Sequence, residues 1–201
     1  MGIRAGVKYG GKVAYRMDAE IDDVFNNKAV FLTNKPLKDN QMYEIKIDRF
    51  NSNLPFSLAM GVCMYSEFPE DVVYYGDGHG KGTGFWILRT GDFWQDFTHI
   101  GSSYPLNFEN IKRGDRIGLA RHSNGTLHYF LNGESKGIAF KNVPEGVFPV
   151  VAVTGKCLKC PLWTTHLLSY FRGRRGQNQE INRCDTSNHS LNIILYIVKK
   201  M

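Results

Sequence analysis

The chain is divided into short runs of apolar or alternating residues, each bounded by residues that favour turns. In residues 42–50, MYEIKIDRF, the apolar positions Tyr43, Ile45 and Ile47 share one parity and charged residues stand between them. Such alternation predicts a β-strand with one buried and one solvated face. The run FSLAMGVCMY, residues 56–65, is apolar almost throughout, which predicts a strand that is buried on both faces.

Two Asn-Gly pairs lie eight residues apart in the segment GLARHSNGTLHYFLNGESKGIAF, residues 118–140. Between the pairs, Leu127, Tyr129 and Leu131 share one parity. Asn-Gly between strand-like runs is a strong hairpin signal, because a type I′ turn requires positive φ at both central residues. The segment is therefore predicted to form three antiparallel strands joined by two tight turns.

Roughly nine to eleven short strands follow one another in this way, and no segment has convincing helical periodicity. Strands at this spacing predict an all-β fold, an antiparallel β-sandwich. A length of 201 residues is enough for one such domain and a tail. We expect a flexible, Gly- and Lys-rich N-terminus over residues 1–12, a β-sandwich domain over residues 13–165, and a basic, disordered tail over residues 166–201.

The formal net charge of +6 is concentrated near the C-terminus. Residues 171–201 hold six Lys and Arg residues against two Asp and Glu residues, whereas residues 1–170 hold 19 against 17. A nearly balanced body argues against a folded nucleic-acid-binding domain, which would carry a basic patch. The tail segment RGRRGQNQ leaves open a second function, weak binding of nucleic acid or of an anionic membrane through phosphate contacts.

The start of the chain, MGIRAGVKYGGK, has no apolar core of a signal peptide, and no apolar run approaches the roughly 18 residues of a membrane span. Four cysteines in a chain without such a signal are expected to be reduced thiols. From these features we expect a cytoplasmic protein.

No segment has the spacing of a known catalytic motif. The glycine-rich residues 76–84, GDGHGKGTG, place three residues rather than four between Gly76 and the Gly-Lys pair, and Gly82 follows the lysine. A Walker A loop therefore does not fit, and a mobile loop is the simpler interpretation. His122 and His128 flank the first Asn-Gly turn, so they can lie near each other, and they are interpreted as solvent-facing hairpin side chains. The prediction is a non-enzyme without a cofactor.

A cluster of thiols and imidazoles leaves one metal hypothesis open. Cys157 and Cys160 form a C-x-x-C pair, with His166, Cys184 and His189 further along the chain. Zinc accepts thiolate and imidazole ligands in tetrahedral sites. A second closely spaced pair is missing, and Cys157 also continues a strand-like alternation, where a small buried thiol is an ordinary residue. We predict no metal site but keep zinc at these residues as an alternative.

Several segments in the same order resemble a Neuralized homology repeat (NHR), the domain of Neuralized-like proteins, over about residues 10–162. The matching segments are NKAVFLTNKPLKDNQMYEIKIDRF, LAMGV, GTGFWILRTGDF, IKRGDRIGLARHSNGTLHYFLNGESKGIAF and NVPEGVFPVVAVTGKC. In the family motif, Trp86 matches the tryptophan of GTGFW, and positions from Asp115 to Gly133 match the family's GDRVG and LHFFING patterns. Pro144 and Gly146 match its NVPPGV. Most of these positions are interpreted as architectural, with Trp86 and Phe130 in packing roles.

The resemblance implies a SPRY-like β-sandwich that binds proteins. Members of the family recruit targets, among them the cytoplasmic tails of Notch ligands, and some join the repeat to a RING and act as ubiquitin ligases. No RING is present in this sequence. The implied function is a non-catalytic adaptor or substrate-recruiting module in ubiquitin-linked signalling. Its expected partners are a protein or short peptide, such as the cytoplasmic tail of a membrane receptor or ligand, and ubiquitin-pathway proteins.

Recognition by sandwich domains usually lies on loops that a rigid frame holds in place. The predicted partner-binding residues are therefore polar and charged groups near the ends of strands. They are Asn34, Lys35, Arg89, Arg121, His122, Asn124, Asn132 and Glu134.

Overall fold

The computed structural model describes residues 5–8, 13–16, 29–50, 58–67, 73–74, 80–153, 157–166 and 193–195. These residues contain seventeen β-strands and one short 3₁₀ helix. The strands are β1 Ala5–Lys8, β2 Val13–Arg16, β3 Ala29–Thr33, β4 Met42–Lys46, β5 Arg49–Phe50, β6 Leu58–Cys63, β7 Val73–Tyr74, β8 Gly80–Lys81, β9 Phe85–Arg89, β10 Asp92–Gln95, β11 Thr98–Gly101, β12 Arg116–Arg121, β13 Leu127–Leu131, β14 Glu134–Phe140, β15 Phe148–Val153, β16 Cys157–His166 and β17 Ile193–Leu195. The 3₁₀ helix is Phe108–Asn110. None of the described helical residues forms a segment long and apolar enough to cross a membrane.

Two large antiparallel sheets carry the fold. One sheet has eight strands in the order β1-β2-β16-β4-β12-β13-β14, with β5 paired to β16. The other has seven strands in the order β11-β10-β9-β6-β15-β3-β17. Strands β7 and β8 form a separate pair. The predicted all-β fold with an antiparallel β-sandwich is confirmed.

The main core lies between the two large sheets. Ile45 and Leu119 from the eight-stranded sheet belong to the same buried cluster as Met60 and Leu88 from the seven-stranded sheet. Tyr129 links the two layers, because its hydroxyl donates a hydrogen bond of 2.7 Å to the carbonyl oxygen of Met60. A buried tyrosine with a hydrogen bond across an otherwise apolar interface fixes the position of one sheet relative to the other.

Strand β6 is buried at all six positions, as its continuous apolar sequence predicts. A second buried cluster explains this burial, since Cys63 and Ala59 pack there with Phe85 and Val150, while Met60 and Val62 face the main core. The glycine between them, Gly61, lies so close to β9 that a Cβ would meet the carbonyl oxygen of the neighbouring strand. The seven-stranded sheet is thus apolar on both faces in its centre.

Strand β4 does not have the solvated face that its alternating sequence predicts. Glu44 is only 3% exposed, although it alternates with the inward-facing Tyr43 and Ile45. Arg116, on the neighbouring strand β12, donates from its Nε to Glu44 Oε1 at 2.8 Å. The ion pair provides a charged partner for the buried carboxylate, which alternation alone does not indicate.

The meander of residues 118–140 forms strands β12, β13 and β14, as predicted. Asn132 and Gly133 both have positive φ, 54° and 85°, so the second Asn-Gly pair forms the type I′ turn. At the first pair only Gly125 has positive φ, 78°. There the Gly125 N–H donates to the His122 carbonyl and the His122 N–H donates to the Thr126 carbonyl, at 2.9 and 2.8 Å. This loop is one residue longer than a two-residue turn, and Gly125 takes the left-handed position.

The chain has more strands than the sequence pattern predicts, because the additional ones are short. Strands of two residues, such as β5 and β8, are too short to produce a period. Strand β1 lies within residues 1–12 and β17 within residues 166–201, the two segments for which the sequence predicts flexibility or disorder. Most of residues 166–201 lies outside the described residues, and the predicted domain boundaries stay predictions.

Candidate functional site: the three-loop end

Three loops meet at one end of the sandwich, and we call this surface the three-loop end. It consists of residues 34–41 between β3 and β4, residues 122–126 between β12 and β13, and residues 141–147 between β14 and β15. Backbone hydrogen bonds join them in series. The Asn40 N–H donates to the Arg121 carbonyl at 2.7 Å, and the Val143 N–H donates to the Gly125 carbonyl at 2.9 Å.

Apolar side chains anchor two of these loops in the main core. Leu37, Val143 and Val147 are 7%, 1% and 0% exposed, and all three belong to the core cluster. The Leu37 N–H also donates to the Val147 carbonyl at 2.7 Å, so the first and third loops are joined directly. Loops that bury apolar residues and pair their backbone polar groups have little freedom to move. The three-loop end is therefore a rigid surface that holds its polar residues in fixed positions.

Arg121 lies beneath this surface and connects all three loops. Its side chain is 5% exposed, and it forms an ion pair with Asp39 of the first loop through Nη1. Its Nε donates to the Val143 carbonyl at 2.9 Å, and Nη1 also approaches the His122 carbonyl at 3.3 Å. Arg121 belongs to the predicted partner-binding set, but its visible contacts are within the domain. A contact of Arg121 with a partner stays a prediction.

His122 and His128 stack face to face on the outer surface beside the second loop, residues 122–126. Their ring centroids are 3.9 Å apart, with an angle of 16° between the ring planes. Thr126 Oγ1 lies 3.0 Å from His128 Nε2. Both rings are half-buried, which is closer packing than the solvent-facing hairpin side chains that the sequence predicts.

The environment of this histidine stack disfavours the charged state of both rings. Burial lowers the pKa of His122, and the nearby Asp39 carboxylate offsets part of that lowering. Burial also lowers the pKa of His128, and the adjacent His122 lowers it further. Two positive rings at this separation would repel each other, so the stack is held in its neutral form at neutral pH.

Asn124 shapes the second loop from within. Its Oδ1 accepts hydrogen bonds from the Thr126 N–H at 3.1 Å and from Thr126 Oγ1 at 2.7 Å. Asn34 is half-buried, and its Oδ1 is buried with no hydrogen-bond partner among the described residues. Lys35, the next residue, is exposed. Five of the eight predicted partner-binding residues therefore lie at or immediately below the three-loop end.

Asn132, Glu134 and Arg89 lie elsewhere. Strand β13 leads away from the three-loop end, so the Asn132 turn is at the opposite end of the same hairpin. Asn132 Oδ1 accepts from the Arg116 N–H at 2.9 Å, and Nδ2 donates to Asp115 at 3.0 Å, which is a turn-forming role. Glu134 is exposed and 2.9 Å from Lys136 Nζ.

Arg89 ends strand β9, which begins with Phe85. Phe85 is paired with Cys63 on β6, and Cys63 is paired with Phe148 at the start of β15. Because Phe148 directly follows the third loop, Phe85 lies at the end of β9 nearer the three-loop end. Arg89 is thus at the far end of β9, away from the three-loop end. The predicted set is therefore divided between two ends of the domain, and no single site holds all of it.

The alternative zinc site would draw on three cysteines and two histidines in the C-terminal part of the chain. The side chains of Cys157, Cys160 and His166, and the whole of Cys184 and His189, lie outside the described residues. The described residues contain no cluster of three or more potential metal ligands. Cys63, a described cysteine, is buried, and this burial raises the pKa of its thiol to about 12, which keeps it unreactive.

Sequence patterns did not indicate Asp39 or Val143 as part of this site. Asp39 is separated from Arg121 by 82 residues, and its neighbours form no regular pattern. The histidine pair did carry a signal, because two residues on either side of a tight turn meet across the hairpin. Lys38 and Lys141 are exposed on the same loops and were not among the predicted residues.

Comparison with known proteins agrees with this architecture. The family model described as Neuralized matches residues 1–163. The crystal structure of the Drosophila melanogaster neuralized-NHR1 domain is similar, with a TM-score of 0.58 and 15% identity over 81% of this chain and 92% of that chain. The SPRY domain of human HERC1 is similar with a TM-score of 0.56 and 17% identity over 80% of this chain and 92% of that chain. A solution structure of the NHR domain in Drosophila melanogaster Neuralized is similar with a TM-score of 0.55 and 15% identity over 81% of this chain and 87% of that chain.

Proposed function

The chain belongs to the Neuralized family, and from this premise we propose that its three-loop end recognises a protein or peptide partner. NHR and SPRY domains are protein-interaction folds, which supports binding rather than catalysis as the activity of this domain. The proposed cellular role is an adaptor or substrate-recruiting module in ubiquitin-linked signalling in the cytoplasm. The proposed partners are the cytoplasmic tail of a membrane receptor or ligand, or a ubiquitin-pathway protein.

The observation that carries the proposal is the way the loops are held. Arg121 bonds to the first and third loops, and Leu37 and Val143 anchor those loops in the core. A surface fixed in advance loses little conformational entropy when a partner binds, so a small number of contacts suffices for affinity. Above these anchors the loops present exposed polar side chains, including Ser123 and Asn142. Fixed loops with exposed polar tips are the usual arrangement of a recognition surface.

A matched pair of substitutions tests the location of the site. Ser123→Tyr adds a bulky side chain at an exposed position of the second loop, and Ser102→Tyr adds the same bulk at an exposed position after β11. Gly101 pairs with Phe93 near the end of β9 that carries Arg89, so Ser102 lies away from the three-loop end. Both substitutions are expected to leave the thermal midpoint within about 2 °C, as surface changes usually do.

The assay is affinity capture from cytosolic extract with the full chain, quantified by mass spectrometry at low and high salt. We expect a partner that the wild-type chain and Ser102→Tyr retain at both salt concentrations and that Ser123→Tyr loses. Equal capture by all three chains would place the binding site elsewhere. Capture that disappears in high salt for all three chains would instead support the basic tail as the binding element.

A further inference from the structure

The three-loop end carries an excess of exposed positive charge. Lys35, Lys38 and Lys141 are exposed, whereas Glu145 is the one exposed acidic residue in the three loops. The remaining acid of these loops, Asp39, is already engaged in the ion pair with Arg121. Once that internal pair is set aside, lysines outnumber acids by three to one at this surface. A positive surface favours an acidic partner and raises its rate of encounter.

The histidine stack can add positive charge to the same surface when one of its rings takes up a proton. His122 and His128 lie 3.9 Å apart in the neutral state, and a proton on either ring makes the surface more positive. A carboxylate placed against the stack would stabilise a protonated ring, because an opposite charge within a few ångströms favours the charged form. An acidic ligand and a proton would then bind together.

The groups that face the stack permit this coupling. Asp39 from the first loop and the Arg121 guanidinium lie beside His122, and these two charges compensate each other. The residues opposite His128 on the two neighbouring strands are Ala120 on β12 and Ile138 on β14, and neither side chain is titratable.

We propose that the partner segment bound at the three-loop end is an acidic peptide, one of whose carboxylates binds at the His122–His128 stack while others pair with the lysines of the first and third loops. This inference rests on the proposed function and specifies the chemistry of the partner. An exposed ion pair is worth about 0.2–1 kcal/mol, which is about a 1.4- to fivefold change in affinity for each lysine.

Selection from a random peptide library tests this chemistry and requires no identified partner. The probe is a phage-displayed library of peptides of about ten residues, captured by the immobilised full chain near pH 6.5. Peptides that Ser123→Tyr fails to capture define the ligands of the three-loop end. Among them we expect Asp and Glu to be enriched about two- to fivefold over the unselected library.

This experiment distinguishes an error in the chemistry of the partner from an error in the location of the site. Peptides that depend on Ser123 but show no enrichment of acids would overturn the acidic partner and leave the proposed function standing. If no selected peptide depended on Ser123, the proposed site itself would be wrong, and the acidic partner with it.

A selected peptide then tests the contributions of individual side chains by fluorescence anisotropy. The triple variant Lys35→Glu, Lys38→Glu, Lys141→Glu is expected to weaken binding about tenfold or more, whereas Lys112→Glu at the opposite end leaves it unchanged. Equal weakening by both would indicate a general effect of net charge and contradict a specific site.

The histidine stack is tested through pH. Affinity for the selected peptide is expected to increase as the pH falls from about 7.5 to about 6, because the histidines gain a proton while the peptide carboxylates stay ionised. Replacement of both rings, His122→Gln with His128→Gln, is expected to abolish this increase. A wild-type affinity that does not change with pH would refute the carboxylate position at the stack.

Discussion

Arg121 offers the sharpest test of how the three loops are held together. The perturbation is Arg121→Met, which keeps an unbranched side chain of similar reach but removes the guanidinium. The two strongest interactions lost are the hydrogen bond from Nε to the Val143 carbonyl at 2.9 Å and the ion pair with Asp39, and the longer contact of Nη1 with the His122 carbonyl at 3.3 Å is lost with them. Because the arginine side chain is only 5% exposed, neither is readily replaced by solvent within the folded domain.

The magnitude follows from these two losses. A hydrogen bond with a charged donor contributes about 1.5–3 kcal/mol to the free energy of unfolding. The Asp39 side chain is 26% exposed and can recover part of its hydration, so the ion pair adds no more than about 1 kcal/mol. The free energy of unfolding is therefore expected to fall by about 1.5–4 kcal/mol. In a chain of this size each kcal/mol lowers the melting temperature by about 2–4 °C.

The assay is urea denaturation followed by tryptophan fluorescence, with the slope against denaturant checked for constancy. Arg113→Met, an exposed position at the opposite end, is the control and is expected to change stability by less than about 0.5 kcal/mol. A double-mutant cycle with Asp39→Asn separates the ion pair from the bond to Val143. A loss of less than about 0.5 kcal/mol in Arg121→Met would refute the claim that this residue joins the loops.

Three further changes test other parts of the structure. Tyr129→Phe removes the bond to the Met60 carbonyl between the two sheets and is expected to cost about 1–2 kcal/mol in denaturation, with a fold otherwise unchanged by circular dichroism. Gly61→Ala places a Cβ against the carbonyl of the neighbouring strand and is expected to cost about 3 kcal/mol, or to reduce soluble yield; a stable variant would contradict this close approach. The pKa values of His122 and His128 are lowered in the folded chain, so the unfolded chain binds more protons and stability decreases as the pH falls through about 6.5. Thermal melts between about pH 7.5 and about pH 5 should show this decrease, and replacement of both rings by Gln should reduce it.

Local patterns were sufficient for the parts of the fold that local chemistry determines. The type I′ turn at Asn132 and Gly133 and the complete burial of β6 both follow from residue types at fixed spacing. The turn at Asn124 has the same dipeptide but a longer loop, because the Asn124 side chain bonds to Thr126 and Gly125 alone takes the left-handed conformation. Dipeptide identity indicates a turn there without determining its length.

The assembly of the candidate site depends on contacts between distant parts of the chain. Arg121 and Asp39 are 82 residues apart, and they meet because β12 pairs with β4 in a register that sets Ala120 opposite Met42. No periodicity in either segment specifies that register. The same reason accounts for Glu44, whose burial depends on Arg116 of the neighbouring strand. The sequence therefore indicates polar residues at strand ends but not which of these strand ends lie together in the fold.

The separation of anchors from exposed tips at the three-loop end has a consequence for how such domains diverge. Leu37, Val143 and Arg121 hold the loops from below, and substitutions there reduce folding stability. Lys35 and Ser123 project above them, where substitutions have little effect on stability. Selection can thus exchange the exposed residues freely while the anchors keep the loops in place. Relatives that share the anchors need not share a partner, and the exposed loop positions are where differences in specificity should accumulate.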